Sequence, residues 1–282
     1  MTAGSLASRT IPAMDPRAAG RRDLVLLSVV TIGLTRPVDG PALWVAAALI
    51  LVGVLLGALW VLGEGEPRGV PIESLLLPAT AAGAAVGAIR LVPVGLGTLV
   101  ALAAAGVVID RTLALEARLE TIGGPPRPED RQRVTGFALL IAFAGFAGVA
   151  ATVPGGLVGD PLTDSGAPPI DASALALLAA ADAVIAFLLG YRVAALRLTS
   201  LRDAAWSALT YAVVVAIAAG AIRALAVPRL LGPALLTLVF FLWDALHGTA
   251  PSRRRDPRWL WEVGLLAILG VIVVALNVRL VT

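Results

Sequence analysis

The stretch PALWVAAALILVGVLLGALWVL, residues 41–62, decides the fold. It contains no charged side chain, and its polarity does not alternate from one residue to the next. An apolar run of about 20 residues is the length a helix needs to cross the hydrocarbon core of a bilayer. In lipid every backbone N–H and C=O must be satisfied inside the segment, so a continuous run of this kind predicts a helix and not a barrel strand.

Reading outward, the same pattern recurs along the chain. Nine spans are predicted, over residues 23–35, 41–62, 72–89, 91–108, 134–153, 172–191, 204–222, 230–247 and 259–278. The first is short for a bilayer, so the count falls to eight if it does not cross. The fold class expected is all-α, a polytopic transmembrane bundle. Residues 1–22 form a polar tail and 23–282 a single membrane domain. Composition agrees: 59% of residues are hydrophobic, 15% are charged and the mean hydropathy is +0.91. A soluble domain carries about a quarter charged residues. The polar N-terminal stretch lacks a cleavage pattern and reads as a cytoplasmic tail.

Arginine placement sets the orientation. With the N-terminus inside, the inner loops hold four Arg in the tail, Arg68, five in 110–133, three in 191–203 and four in 248–258, seventeen in all. The outer loops hold Arg36, Arg90, Arg223, Arg229 and Arg279. Seventeen against five is the bias of a cytoplasmic-membrane protein with its N-terminus in the cytoplasm. Basic loops of this kind answer to topology, so the pI near 10.4 does not point to nucleic acid.

The two halves share a pattern. At an offset of 133 residues, the window 73–90 matches 206–223 at eight of 18 positions, ending in GAIR both times. This predicts two parallel four-span repeats, 23–133 and 134–258, followed by a final helix at 259–278. Parallel repeats of this sort are common in transporters. Small residues at four-residue spacing (Gly53 and Gly57; Ala79, Gly83 and Gly87; Ala212, Ala216 and Gly220) mark faces where backbones can approach closely. Such faces serve packing inside the bundle or association with another chain. Membrane lipids are the partners expected.

Chemistry-bearing residues are few. There is no Cys, one His and no Lys. That excludes thiol chemistry, multi-histidine metal sites and Schiff-base catalysis. No cofactor or metal is implied, and no nucleophile-elbow, zinc-protease or phosphate-loop motif is present. The sharpest candidate is Asp182, in LLAAADAVIAFLLG at 177–190. An acid at mid-bilayer is costly unless paired or protonated, so it suggests ion or solute binding. The competing reading is structural, with Ser207, Thr210 and Tyr211 on the next span as hydrogen-bond partners. Arg90 and Arg223, at matched ends of spans three and seven, could clamp an anion or reach for lipid phosphate.

Asp244, His247 and Glu262 form a polar cluster at the cytoplasmic interface, where acid–base work competes with a salt-bridged turn between helices. The acids of DPLTDSG, at 160–166, lack the ligand spacing of a calcium loop. The segment RTLALEARLE, at 111–120, reads as an amphipathic continuation of span four that lies on the membrane or meets a partner. Through FFLWDALHG (240–248) and RRRDPRWLWEVGLLAILGVIVVALN (253–277), roughly the last 50 residues resemble a domain-of-unknown-function family of bacterial multi-span proteins. The resemblance implies a bacterial inner membrane and brings no activity. Three functional classes follow: transporter-like binding at a polar centre near Asp182, a structural or assembly subunit, and a lipid-modifying enzyme.

Overall fold

The computed structural model describes residues 16–63, 69–122, 126–158, 170–228, 230–249 and 254–281. Among them the chain is 85% helical with no strand. The helices are α1 (Pro16–Leu34), α2 (Pro41–Gly63), α3 (Ile72–Ala88), α4 (Leu96–Ile122), α5 (Pro128–Thr152), α6 (Ala172–Ala195), α7 (Leu201–Ala224), α8 (Leu231–Gly248) and α9 (Pro257–Val281). A short 3-10 turn at Ile89–Leu91 extends α3. Four of these helices begin on a proline, whose missing N–H costs nothing in a first turn. Asp171 caps α6 by accepting from the Ala174 amide at 2.6 Å. That bond holds its carboxyl below the usual aspartate range.

Among the described residues eight helices, α2 to α9, are long and apolar enough to cross a membrane. The chain is a multi-pass membrane bundle. The first span needs correction: α1 runs for 19 residues and begins inside the stretch expected to be a tail. Arg21, excluded by hydropathy, is helical and pairs with Asp110 of α4 at 2.9 Å. At about 1.5 Å per residue α1 is roughly 28 Å long, but Arg17, Arg21, Arg22 and Asp23 fall in its first eight residues and it is not one of the eight long apolar helices.

The helices pack in two groups with the same adjacency. In the first, α1 packs on α2, α2 on α3, α3 on α4, and α1 closes on α4. In the second, α5 packs on α6, α6 on α7, α7 on α8, and α5 closes on α8. The groups meet where α3 lies against α5 and α6. Gly87 and Gly148 set that seam. A Cβ on Gly87 would stand 2.6 Å from the Gly148 carbonyl carbon, and one on Gly148 2.7 Å from the Ala88 nitrogen. Because the seam runs along α3, that helix is the most buried of the eight spans. Helix α9 packs on α8 and is otherwise exposed.

The segment 111–120 also needs correction. It does continue α4, but its buried face (Thr112, Leu113, Leu115 and Glu116) packs within this chain.

Candidate functional site

Asp182 sits ten residues into α6, about 15 Å from its first residue and therefore near mid-depth of the core. Its side chain faces the interior of the second helix group and is 3% exposed. Its Oδ1 has no hydrogen-bond partner among the described residues. It lines a cavity of about 40 Å³ together with Phe146, Leu178, Ala219, Arg223 and Leu236. The wall continues to Gly156 and Val158 beyond α5 and to Val227 beyond α7. The cavity thus runs from mid-depth towards the α5–α6 and α7–α8 connections. Water needs about 10–15 Å³ of such space per molecule and two to four polar partners, so there is room for a few waters or one small ion.

Two of the expected partners of Asp182, Tyr211 and Thr210, are engaged elsewhere. Tyr211 is fully buried and donates its hydroxyl to Asp244 Oδ1 at 2.6 Å. Arg197 donates to the same hydroxyl at 3.0 Å and pairs with Asp244 at 3.0 Å. Tyr211 also packs on Gly190, where an added Cβ would meet its ring carbon at 2.8 Å. Gly190 is eight residues beyond Asp182, about 12 Å along the axis, so Tyr211 belongs to the opposite end of the helix pair. Thr210 donates to the Ser207 carbonyl and accepts from Trp243 at 3.0 Å. The grouping of Tyr211 with Asp182 is therefore not formed.

Arg223 does join Asp182 in lining the cavity. Its Nε donates to the Gly155 carbonyl at 2.8 Å, tying the end of α7 to the α5–α6 connection. Arg90 holds the equivalent place in the first group. It pairs with Asp39 at 2.7 Å and donates to the Val38 carbonyl, tying the end of α3 to the α1–α2 turn. Arg36 answers by donating to the Ile89 and Val92 carbonyls. Arg90 and Arg223 each bind their own half of the chain; they do not converge on a shared anion site.

The cluster expected at the cytoplasmic interface separates in the same way. Asp244 belongs to the Tyr211–Arg197 network. His247 Nδ1 lies 3.1 Å from the Trp243 carbonyl oxygen, its ring stacked on the indole at 4.0 Å. Glu262 pairs with Arg258 one turn away on α9, both exposed. Arg254 donates to the carbonyls of Thr249 and His247 and closes the end of α8. The segment 160–166 lies outside the described residues.

One polar pair was not anticipated. Glu116 of α4 and Arg192 of α6 form a fork-on-fork ion pair, with Nε to Oε1 at 2.8 Å and Nη2 to Oε2 at 2.6 Å. Glu116 is fully buried and the Arg192 side chain is 5% exposed. The charges are matched and both carboxylate oxygens accept from the guanidinium, the geometry of a structural pair. Asp182 has no such match at Oδ1. Asp130, at the start of α5, is a third buried acid, with Arg118 and Arg133 at 3.7 and 3.8 Å. No protein-family model, curated protein or solved structure matches the chain.

Proposed function

We propose that the chain is a cytoplasmic-membrane protein of the transporter-like class, binding a proton or a single small cation at Asp182. The observation that carries this reading is a carboxyl at mid-depth, sealed from lipid, lacking a hydrogen bond at Oδ1 and facing a cavity of about 40 Å³. Such a group has two inexpensive states in an apolar interior: neutral, with the proton as its occupant, or ionised, with a bound cation. The cavity has no room for a larger solute. Arg223 lies at the loop end of the same cavity. The matching adjacency of the two helix groups supports a duplicated carrier architecture in which the mid-depth acid Asp182 lies in the second group.

The test is Asp182→Asn in full-length protein reconstituted into proteoliposomes, with internal pH and sodium followed by dyes under an imposed gradient. The wild type is expected to pass one of the two ions, and the variant to lose at least about tenfold of the rate while keeping its unfolding temperature. Loss of thermal stability with no change in either flux would leave Asp182 a structural acid in an assembly subunit.

A further inference from the structure

Three helices of the second group share a register. Asp182 of α6, Ala219 of α7 and Leu236 of α8 all line the same cavity. Eight residues closer to the α6–α7 connection stand Gly190, Tyr211 and Asp244, one on each of the same helices. These three also meet: the Tyr211 ring packs on Gly190 and its hydroxyl donates to Asp244. Eight residues are about 12 Å of helix, so the Tyr211–Asp244–Arg197 network lies about 12 Å from the level of Asp182.

Midway between the two levels each helix presents a buried apolar side chain. They are Ala186, Val215 and Phe240, joined by Ala142 of α5, one turn from the cavity residue Phe146. Three of the four are Ala or Val, so closure of this layer depends on Phe240. Its ring lies 5.1 Å from the Tyr211 ring, tilted at 52°. The Tyr211 ring is held in turn by its hydroxyl, between Asp244 and Arg197. This network differs from the sealed Glu116–Arg192 pair. The Arg197 and Asp244 side chains are 20% and 13% exposed, against 5% and 0% for Arg192 and Glu116. Asp244 is four residues from the end of α8, and Arg197 lies just beyond α6. Headgroups and water take up charges at such a position, so parting this pair costs less than parting a sealed one.

We infer that Phe240 and Tyr211 form a closed gate to the Asp182 site, latched by the Tyr211–Asp244–Arg197 network. The inference rests on Asp182 being the ion site proposed above. The cavity extends from Asp182 towards the α7–α8 connection, and the opposite route is shut one helical turn away. For an ion to leave on the α6–α7 side, the hydroxyl and the ion pair must part and Phe240 must swing out of the layer. This is the gating required of a carrier that exposes one site to two faces in turn.

The experiment reads access to a single thiol. The chain has no cysteine, so Ala219→Cys places one on the cavity wall at the level of Asp182. Right-side-out and inverted membrane vesicles holding the full chain are pulsed with silver ion, a thiophilic cation small enough for the cavity. The thiol left free is then counted with a maleimide after unfolding. Arg202→Cys and Leu225→Cys, in separate proteins, mark the faces where α7 joins α6 and α8. Silver from the Leu225 face should consume the cavity thiol, and silver from the Arg202 face should not. Adding Asp244→Ala or Phe240→Ala should raise the rate from the Arg202 face by about tenfold or more. Glu262→Ala, on an exposed part of α9, should leave it unchanged. Equal rates from the two faces without a gate substitution would overturn the inference. So would no gain from the Arg202 face in whichever gate variant stays folded. The thiol reports access and not flux. Ion flux unchanged in Asp182→Asn, beside the expected thiol rates, would therefore sink the ion site and leave the gate.

Discussion

Asp182 and Glu116 are both buried acids, and their surroundings give them opposite roles. Glu116 has a fork of two donors from Arg192. Replacing Arg192 with Leu strands the carboxylate and should cost about 3–5 kcal/mol, measured by unfolding in micelles. Adding Glu116→Leu to that variant should recover most of the loss, because an apolar pair substitutes well for a buried ion pair. Asp182 predicts the reverse sign. Its orphaned oxygen carries a desolvation cost, so Asp182→Leu should stabilise the protein by about 1–3 kcal/mol even as it abolishes ion binding. Destabilisation by that substitution would mean that the carboxyl has a partner in the folded state. Asp182 was legible in the sequence because an acid among alanines is anomalous at mid-span. The Glu116–Arg192 pair was not, because each residue sits near the end of a span and reads alone as an interfacial charge. Their pairing depends on the register between helices 76 residues apart in the chain, which periodicity does not encode.

Small-residue faces carry the same lesson for whole helices. GxxxG-like spacing appears on α2, α3 and α7, yet the glycines differ in what they meet. Gly57 meets Leu24 of α1 and Gly87 meets the backbone of α5, but Gly53 and Gly220 meet nothing within 4 Å. Val at Gly148 would press on main-chain atoms that cannot yield, and should cost at least about 1–3 kcal/mol or prevent folding. Val at Gly220 should change the unfolding temperature little. Equal effects would place the seam elsewhere. The spacing in the sequence marks which faces could pack; tertiary structure decides which do. At the start of α6, Asp171 gives a pH signature. Its folded pKa is depressed, so its contribution is full above the unfolded aspartate value near 3.9 and is lost as pH falls through the lower folded value. Asp171→Ala should remove that part of the acid dependence of stability.

At the scale of the molecule, the apolar runs set the number and order of helices, and the length of α1 was underestimated because arginines at its start lower hydropathy without breaking a helix. The arginine asymmetry makes a separate prediction. The chain has no native cysteine, so Val94→Cys between α3 and α4 and Thr121→Cys at the far end of α4 can be labelled one at a time. An impermeant maleimide should reach position 94 in intact cells and position 121 only after permeabilisation; the opposite pattern would invert the topology. The central claim concerns the carboxyl enclosed by the second helix group. It is tested most directly by the rate at which dicyclohexylcarbodiimide, which attacks protonated carboxyls in apolar settings, attaches to Asp182 in membranes, read by peptide mass. A modification at Asp182 that slows as pH rises, or as sodium is added, is the predicted result. An Asp182 that stays unmodified at every pH, or reacts at a rate indifferent to both ions, would contradict the account.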